Sequence, residues 1–283
     1  MDHQVVLVTG ANRGLGKAMA EGLARLGATV VLGCRDLQQG AAARDAIRQA
    51  TSHPHVELLR LDLADQSSIR AAVAHFKQTY DRLDVLINNA ALYTAQRRLT
   101  PDGVELMFAT NHLGPFLLTN LLYDPAELPT PSRILTITAP STTELNFDDL
   151  HGTLRWNALR TFGASKMCNL LFTFELARRL AGTGVTVNAV HPGLVKSKLM
   201  REAFPPIRWL ASLAASSPET AAAGPVYLAS SPDVANVTGR LFKGTHAIAA
   251  SDYAHAPAIQ QRLWRISANL VHLEESRRTR GTP

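Results

Sequence analysis

The sequence predicts a doubly wound α/β fold built on one mostly parallel sheet. Short runs of β-branched and aliphatic residues, typical of strands buried on both faces, recur along the first half of the chain. Segments with helical spacing of apolar residues separate them, and a glycine-rich turn follows the first run. Strand–helix alternation implies right-handed crossovers in a single sheet. We therefore expect a Rossmann-type fold of about seven strands with helices on both faces.

The composition is that of an ordinary globular protein. Of 283 residues, 46% are hydrophobic and 18% are charged, which predicts a single domain over residues 1–273. The net charge of +6 is partly concentrated in residues 274–283, which we expect to be a disordered basic tail and no nucleic-acid site. The two cysteines lack metal-ligand spacing, and no apolar run approaches the roughly 20 residues of a membrane span. A cytoplasmic location is the resulting expectation.

The glycine turn predicts a nucleotide site. It lies between the strand at residues 5–8 and a helix whose apolar residues extend to Leu26. Glycines allow the backbone to approach a pyrophosphate closely, and the helix N-terminus offers free N–H groups and a positive dipole. The predicted cofactor-binding residues in this turn are Gly10, Asn12, Arg13, Gly14, Leu15 and Gly16.

The end of the second strand indicates which dinucleotide is bound. Strand 29–32 continues into Gly33, Cys34, Arg35 and Asp36. A site that prefers NAD has an acidic residue near this strand end, whereas here Arg35, together with Arg13, could flank a 2′-phosphate. We therefore predict NADP(H) in preference to NAD(H).

The chain then continues the same alternation. Strand 56–61 precedes a helix over residues 67–80, and strand 85–87 ends in an asparagine-containing loop at residues 88–91. Later segments predict a strand at residues 133–137, a helix that begins at Ser217-Pro218-Glu219, a last strand at residues 240–242 and a closing helix at residues 256–273.

Several of these motifs resemble the short-chain dehydrogenase/reductase family in order and spacing. They are the glycine turn, the 62–63 and 88–90 segments, Asn111 and Pro192-Gly193, and the match covers roughly residues 4 to 245. Residues 146–150 and 171–180 resemble its retinol-dehydrogenase-like branch. The resemblance implies cofactor contacts, a role for Asn111 in supporting a proton-relay water, and a hydroxyl from Ser197 to the nicotinamide. The implied cofactor contacts are Asp62, Leu63, Asn88, Ala90, Lys166, Pro192, Gly193, Val195 and Ser197.

The expected catalytic segment departs from the family pattern. Members carry a tyrosine that transfers the substrate proton, a lysine four residues later that lowers its pKa, and a serine that orients the substrate oxygen. Here Lys166 is present, Phe162 stands four residues before it, and Ala139 occupies the position expected for the serine. Phenylalanine cannot transfer a proton. Thr138 or Ser141 could present a hydroxyl instead.

Three functions compete on this basis. The first is an ordinary carbonyl reductase or alcohol dehydrogenase with a substitute donor such as Tyr93, or an inactivated mutant of one. The second is an enzyme of altered chemistry, such as iminium reduction, cyclisation or isomerisation, for which members in secondary metabolism are the precedent. The third is a non-catalytic NADP(H)-binding scaffold. Retention of the nucleotide motifs favours functions in which the cofactor matters.

The last segment predicts a substrate lid at about residues 196–215. Its apolar residues, among them Phe204 and Trp209, predict a lipophilic small-molecule substrate, and Tyr93 could line the same pocket. The resemblance also implies that the helix at residues 162–180 could form a homo-oligomer.

Overall fold

The computed structural model describes residues 1–123, 131–196, 199 and 215–273. Its centre is an eight-stranded sheet in the order β3-β2-β1-β4-β5-β6-β7-β8, counted over those residues. The strands are β1 (Val5–Thr9), β2 (Thr29–Cys34), β3 (Val56–Arg60), β4 (Val85–Asn88), β5 (Ser132–Ile137), β6 (Val185–His191), β7 (Leu241–Lys243) and β8 (His246–Ile248). The pairs from β3 to β7 are all parallel, and β8 runs antiparallel to β7.

Helices cover both faces of this sheet. They are α1 (Gly14–Arg25), α2 (Leu37–Thr51), α3 (Gln66–Thr79), α4 (Leu106–Phe108), α5 (Gly114–Leu122), α6 (Ala158–Arg179), α7 (Pro218–Ser230), α8 (Asp252–His255) and α9 (Pro257–Leu270). A π turn, Ala109–Leu113, joins α4 to α5, and a 3₁₀ turn, Pro232–Val234, follows α7.

The strands separate two hydrophobic cores because successive side chains point to opposite faces. In β1, Val6 and Val8 belong to the core that includes residues of α1 and α7, whereas Leu7 belongs to the core that includes residues of α3, α5 and α6. All five residues of β1 are buried. This accounts for the continuous apolar runs in the sequence, since both faces of each central strand are covered.

The sheet order places the glycine turn at a switch point. Strand β1 lies between β2 and β4, so the chain winds first toward β3 and then toward β7. In such sheets a crevice opens beyond the carboxyl ends of the strands where the winding reverses, and ligands bind there. The turn after β1 and the loop after β4 meet at this crevice.

The predicted doubly wound fold is confirmed, with one addition. The prediction had about seven strands and ended with residues 240–242, but β8 adds an antiparallel edge strand. Its three residues, His246–Ile248, are exposed or only half-buried and lack an apolar run. The sequence therefore carried no strand signal there, and pairing with β7 defines the strand.

Helix α9 packs on α6, the helix from which a homo-oligomer was expected. The Trp264 ring lies with its centre 4.9 Å from that of Phe116 and 5.9 Å from that of Phe172, and the Arg179 guanidinium lies 4.1 Å from its centre. This face of α6 is thus occupied within the chain, and oligomerisation through α6 stays a prediction. In the described parts of the chain, no helix combines the length and apolar character needed to cross a bilayer.

Candidate active site

The glycine turn is held against the loop after β4 by a hydrogen-bond network. The Thr9 hydroxyl oxygen accepts from the backbone N–H groups of Asn89 at 2.9 Å and Ala90 at 3.0 Å. The Asn89 side-chain amide donates to the Thr9 carbonyl at 2.8 Å. Sequence reasoning assigned no role to Asn89, although it lies in the quoted motif. Its amide fixes the shape of the turn.

Two of the three glycines are required by close packing. A Cβ on Gly16 would lie 2.4 Å from the Gly10 carbonyl oxygen and 2.6 Å from the Asn89 amide nitrogen. Gly10 has φ +66°, and its Cβ would lie 3.0 Å from Ala90. No side chain larger than hydrogen fits at Gly16 without a backbone shift.

The helix that follows offers its N-terminus to this crevice. Helix α1 begins at Gly14, and its N-cap residue, Arg13, gives no side-chain hydrogen bond to the first turn. The first-turn N–H groups and the positive end of the helix dipole therefore suit an anion. Together with the glycine cradle, these residues fit the pyrophosphate of a dinucleotide.

Arg35 stands at the end of β2 with its charge accessible. Its side chain is 71% exposed, and its Nε lies 4.0 Å from Asp62 Oδ2. Asp36 is instead the N-cap of α2 and accepts from the Gln39 N–H at 3.0 Å, which holds the pKa of that carboxyl below its usual range. Asn12 donates to the Gln39 side chain at 3.2 Å. The Asp36 carboxylate is therefore occupied in capping α2.

A polar cleft of about 280 Å³ lies beside Arg35. It includes Arg60, the last residue of β3, which pairs in register with Cys34 at the end of β2. The sequence did not single out Arg60, and its place at a strand end was the available signal. The lining residues are Arg35, Arg60, Asp62, Asp65, Ser67 and Ser68.

Two implied cofactor contacts have side chains committed to the protein interior. The Asn88 amide donates to the Thr119 hydroxyl at 3.0 Å and is buried. Leu63 is buried in the core, where it lies against Gly114. The proposed contacts of these two residues with a cofactor stay predictions. Asp62 accepts from the Ala64 N–H at 3.0 Å, which orders the loop after β3.

Helix α6 places Phe162 and Lys166 on one face. The Asn157 side chain caps the helix by accepting from the Arg160 N–H at 3.0 Å. One turn later, the Lys166 Nζ lies 5.2 Å from the centre of the Phe162 ring, a cation–π distance. Residues four apart on a helix are neighbours, so the spacing read from the sequence predicts this contact.

Lys166 is a buried cation. The residue is 7% exposed, and burial lowers the pKa of the ammonium to about 8. Among the described residues, no carboxylate forms an ion pair with it. The Phe162 ring supplies only a weak attraction for the charge, which leaves the amine close to titration near neutral pH.

Thr138 and Ser141, the alternatives predicted for a serine at residue 139, both donate their hydroxyl hydrogen bonds to α6. The Thr138 hydroxyl donates to the Lys166 carbonyl at 3.1 Å, and the Ser141 hydroxyl donates to the Gly163 carbonyl at 2.9 Å. Ala139, between them, has no polar side-chain atom. These bonds connect the loop after β5 to α6, and a role of either hydroxyl toward a substrate stays a prediction.

Asn111 lies in the π turn and connects two parts of the site. Its amide nitrogen donates to the Leu92 carbonyl and to the Ser165 hydroxyl, both at 3.0 Å, and its oxygen accepts from the Leu92 N–H at 2.8 Å. The Ser165 hydroxyl in turn donates to the Phe162 carbonyl at 2.7 Å. Such turns shift backbone carbonyls out of the regular helix pattern and are frequent at functional sites. Ser165, which the sequence analysis passed over, completes the network.

An apolar cluster forms the wall beside Phe162. The rings of Tyr93 and Phe162 meet edge to face with their centres 5.8 Å apart, and Tyr93 is 8% exposed. Met107 and Trp156 also line this wall, and neither was predicted. The cluster comprises Tyr93 and Met107 with Leu92, Trp156, Ala158, Phe162 and Leu199.

The strand β6 ends in the turn expected near a nicotinamide. Gly193 has φ +79°, and Val195 forms a bridge with Ser216. The Thr138 N–H donates to the Val190 carbonyl at 2.9 Å, which brings this turn alongside the end of β5. Pro192 lies between β6 and Gly193. Ser197, Phe204 and Trp209, with most of the expected lid, lie outside the described residues.

Comparison with known proteins gives one consistent result. A family model described as short chain dehydrogenase matches residues 4–207. Human retinol dehydrogenase 13 is 41% identical over 285 residues, covering 96% of this chain and 85% of that protein. Human retinol dehydrogenase 11 is 39% identical and covers 95% of this chain and 86% of its own length. A crystal structure of an uncharacterized protein from Mycobacterium paratuberculosis superposes with a TM-score of 0.77 at 32% identity, covering 96% of this chain and 95% of the other.

Proposed function

Because the chain belongs to the short-chain dehydrogenase family, we propose that it is an NADP(H)-dependent oxidoreductase that acts on a lipophilic small molecule by chemistry that needs no phenol at residue 162. The observation that carries the proposal is the contact of Lys166 with the Phe162 ring. The lysine that would tune a catalytic phenol is in place and buried, and the side chain beside it has no proton to give.

The cofactor part rests on the residues around the crevice. The crowded Gly16, the uncapped start of α1 and the network from Thr9 to Asn89 support a dinucleotide, and the accessible Arg35 supports a 2′-phosphate. A bound nicotinamide would supply a hydride. Lys166, buried on α6, is the residue we assign to holding the adjoining ribose.

The chemistry follows from the charge that develops on the substrate. Reduction of a carbonyl builds negative charge on oxygen, which a positioned proton donor must neutralise. When a hydride reaches the carbon of an iminium, the C=N π electrons become the nitrogen lone pair and the positive charge disappears. No proton enters that step, so a site walled by Phe162 and Ala139 suits it. Cyclisation or isomerisation of a bound substrate is compatible with the same wall.

The wall beside Phe162 supports a proposal for the substrate class. Tyr93, Met107, Trp156 and Leu199 make this surface apolar, and the relatives are named retinol dehydrogenases. We propose an elongated lipophilic substrate of retinoid-like character.

A second candidate is ordinary carbonyl reduction with Tyr93 as the proton donor. The edge-to-face contact of Tyr93 with Phe162 favours it, because it places a phenol-bearing ring beside the expected proton-transfer position. A positioned proton donor accelerates the reaction roughly 10²- to 10⁴-fold, and a donor displaced from the usual position supplies only part of this rate enhancement. This candidate therefore predicts slow reduction that is lost in Tyr93→Phe.

The experiment combines binding with turnover. NADPH and NADH are titrated by fluorescence, and nicotinamide absorbance is then followed with lipophilic aldehydes, ketones and preformed iminium salts. We expect tighter NADPH binding and faster oxidation of NADPH with iminium than with carbonyl substrates of equal size. Binding without any turnover would instead identify a scaffold, and absence of binding would overturn the cofactor assignment.

A further inference from the structure

We propose that the surface beside the substrate pocket docks on a bilayer with anionic headgroups. We call this surface the arginine–leucine face, and it comprises Arg97, Leu99, Leu154, Arg155, Leu159 and Arg160. The inference concerns how the protein meets its surroundings, and it stands independently of the reaction proposed above.

The face is formed by two chain segments that meet in space. The Arg97 Nε donates to the His151 carbonyl at 3.0 Å, which joins the loop at residues 95–99 to the segment at residues 151–160. Behind this segment, Trp156 and Ala158 pack into the apolar cluster with Phe162 and Tyr93. The outward side chains therefore lie next to the wall of the proposed substrate site.

The three leucines of this face are well exposed, Leu154 most of all. Leu154 is 84% exposed, Leu159 50% and Leu99 52%, and they are three of the six large apolar side chains exposed in the described parts of the chain. Single exposed leucines are ordinary, but a group of them on neighbouring segments marks an interaction site.

The loop that carries Leu154 is held in this orientation by Asp149. One carboxylate oxygen accepts from the Thr153 N–H at 2.6 Å, and the other accepts from the Leu154 N–H at 3.0 Å and the Arg155 N–H at 3.2 Å. The Thr153 hydroxyl, which donates to the same carboxylate at 2.6 Å, and these backbone bonds hold the pKa of the Asp149 carboxyl at about 2, well below its usual range. Asp149 thus turns its charge toward the backbone while the leucine faces outward.

The charged side chains of the face are all arginines, and the neighbouring Asp149 carboxylate is bonded to the backbone N–H groups of Thr153, Leu154 and Arg155. Arg97, Arg155 and Arg160 are exposed, and residues 95–99 and 151–160 contain neither aspartate nor glutamate. Arginines beside protruding leucines match a bilayer surface, where the cations meet anionic headgroups and the leucines enter the acyl boundary. Nucleic acid would satisfy the arginines and leave the leucines in water. A lipophilic substrate dissolved in the bilayer would also lie close to the pocket wall.

The test is co-sedimentation of the full chain with vesicles. Vesicles of phosphatidylcholine alone are compared with vesicles in which about a third of the lipid is phosphatidylserine. We expect binding to the anionic vesicles that weakens as ionic strength rises. Each arginine near an anionic surface should contribute about fivefold to the partition coefficient. Arg97→Gln with Arg155→Gln and Arg160→Gln should therefore lower it about a hundredfold.

The leucines distinguish bilayer docking from attraction of charge alone. Leu154→Ser with Leu159→Ser should lower the partition coefficient at least tenfold, while Leu26→Ser with Leu37→Ser, changed at two leucines exposed elsewhere, should bind as the wild type does. NADPH titration of every variant shows that the fold and the cofactor site are kept. The proposal is overturned if the wild type ignores the anionic vesicles, if the two leucine pairs behave alike, or if a DNA duplex competes fully for the face.

Discussion

The Lys166 ammonium lies 5.2 Å above the ring of Phe162, so the buried cation of this site faces an aromatic carbon surface. The helix spacing that elsewhere brings an ammonium next to a phenol is kept, but the aromatic ring of this pair carries no hydroxyl. The consequences can be measured separately for the cofactor, the fold and the reaction.

Replacing Arg35 should change which cofactor the protein prefers. In Arg35→Ala, loss of a charge-assisted hydrogen bond to a 2′-phosphate should weaken NADPH binding about 10- to 100-fold and leave NADH binding unchanged. Fluorescence titration with both nucleotides measures the ratio. Arg60→Ala is the matched control variant, because Arg60 lines the same cleft. An equal loss of affinity for NADPH and NADH in Arg35→Ala would contradict the assignment.

Gly16→Ala should abolish dinucleotide binding. The added Cβ would lie 2.4 Å from the Gly10 carbonyl oxygen and force the turn away from Asn89. Gly182→Ala is the control, because a Cβ there meets open space and the positive φ of +81° costs only about 1–2 kcal/mol. Thermal unfolding with and without NADPH separates lost binding from lost stability. Ligand stabilisation retained in Gly16→Ala would show that the turn does not hold the cofactor.

His112 should make the fold sensitive to acid. Burial lowers the pKa of its imidazole to about 3, while an unfolded histidine titrates near 6.5. The unfolded chain then binds the extra proton between these values, so the stability contributed by neutral His112 is complete above about pH 6.5 and declines as pH falls toward 3. Chemical denaturation across this range measures the loss.

The matched variant for that measurement is His112→Phe with Ser267→Ala. In the wild type, the His112 imidazole forms a hydrogen bond with the Ser267 hydroxyl at 2.8 Å and packs against Phe108. The double substitution removes both hydrogen-bonding groups at once and keeps an aromatic ring against Phe108. Its stability should fall less on acidification than that of the wild type. Parallel pH profiles for the two proteins would mean that other groups govern acid sensitivity.

Local patterns in the sequence predicted much of the crevice. The glycine turn, the strand ends and the contact of Phe162 with Lys166 follow from spacing along one strand or one helix. The bonds from the Thr138 and Ser141 hydroxyls to α6 were not predicted, because they depend on how a loop meets a helix far along the chain. Ser165 was missed for the same reason.

The remaining differences also arise from contacts between distant segments. Strand β8 exists through its pairing with β7, and α9 covers α6 through Trp264. Arg60 reaches the Arg35 cleft only because β3 pairs with β2. None of these has a signal in local periodicity, since each depends on which elements become neighbours.

The central claim is that the site lacks the phenol that would donate a proton to a carbonyl substrate. The most direct measurement compares reduction of one lipophilic aldehyde and one iminium of similar shape by the wild type and by Phe162→Tyr with Ala139→Ser. Single variants and Tyr93→Phe serve as controls, and NADPH binding is checked in each. We predict that the double change raises aldehyde reduction about 10²- to 10⁴-fold and leaves iminium reduction within a few-fold of the wild type. Aldehyde reduction by the wild type that already equals that of the double variant, and that is lost in Tyr93→Phe, would contradict the account.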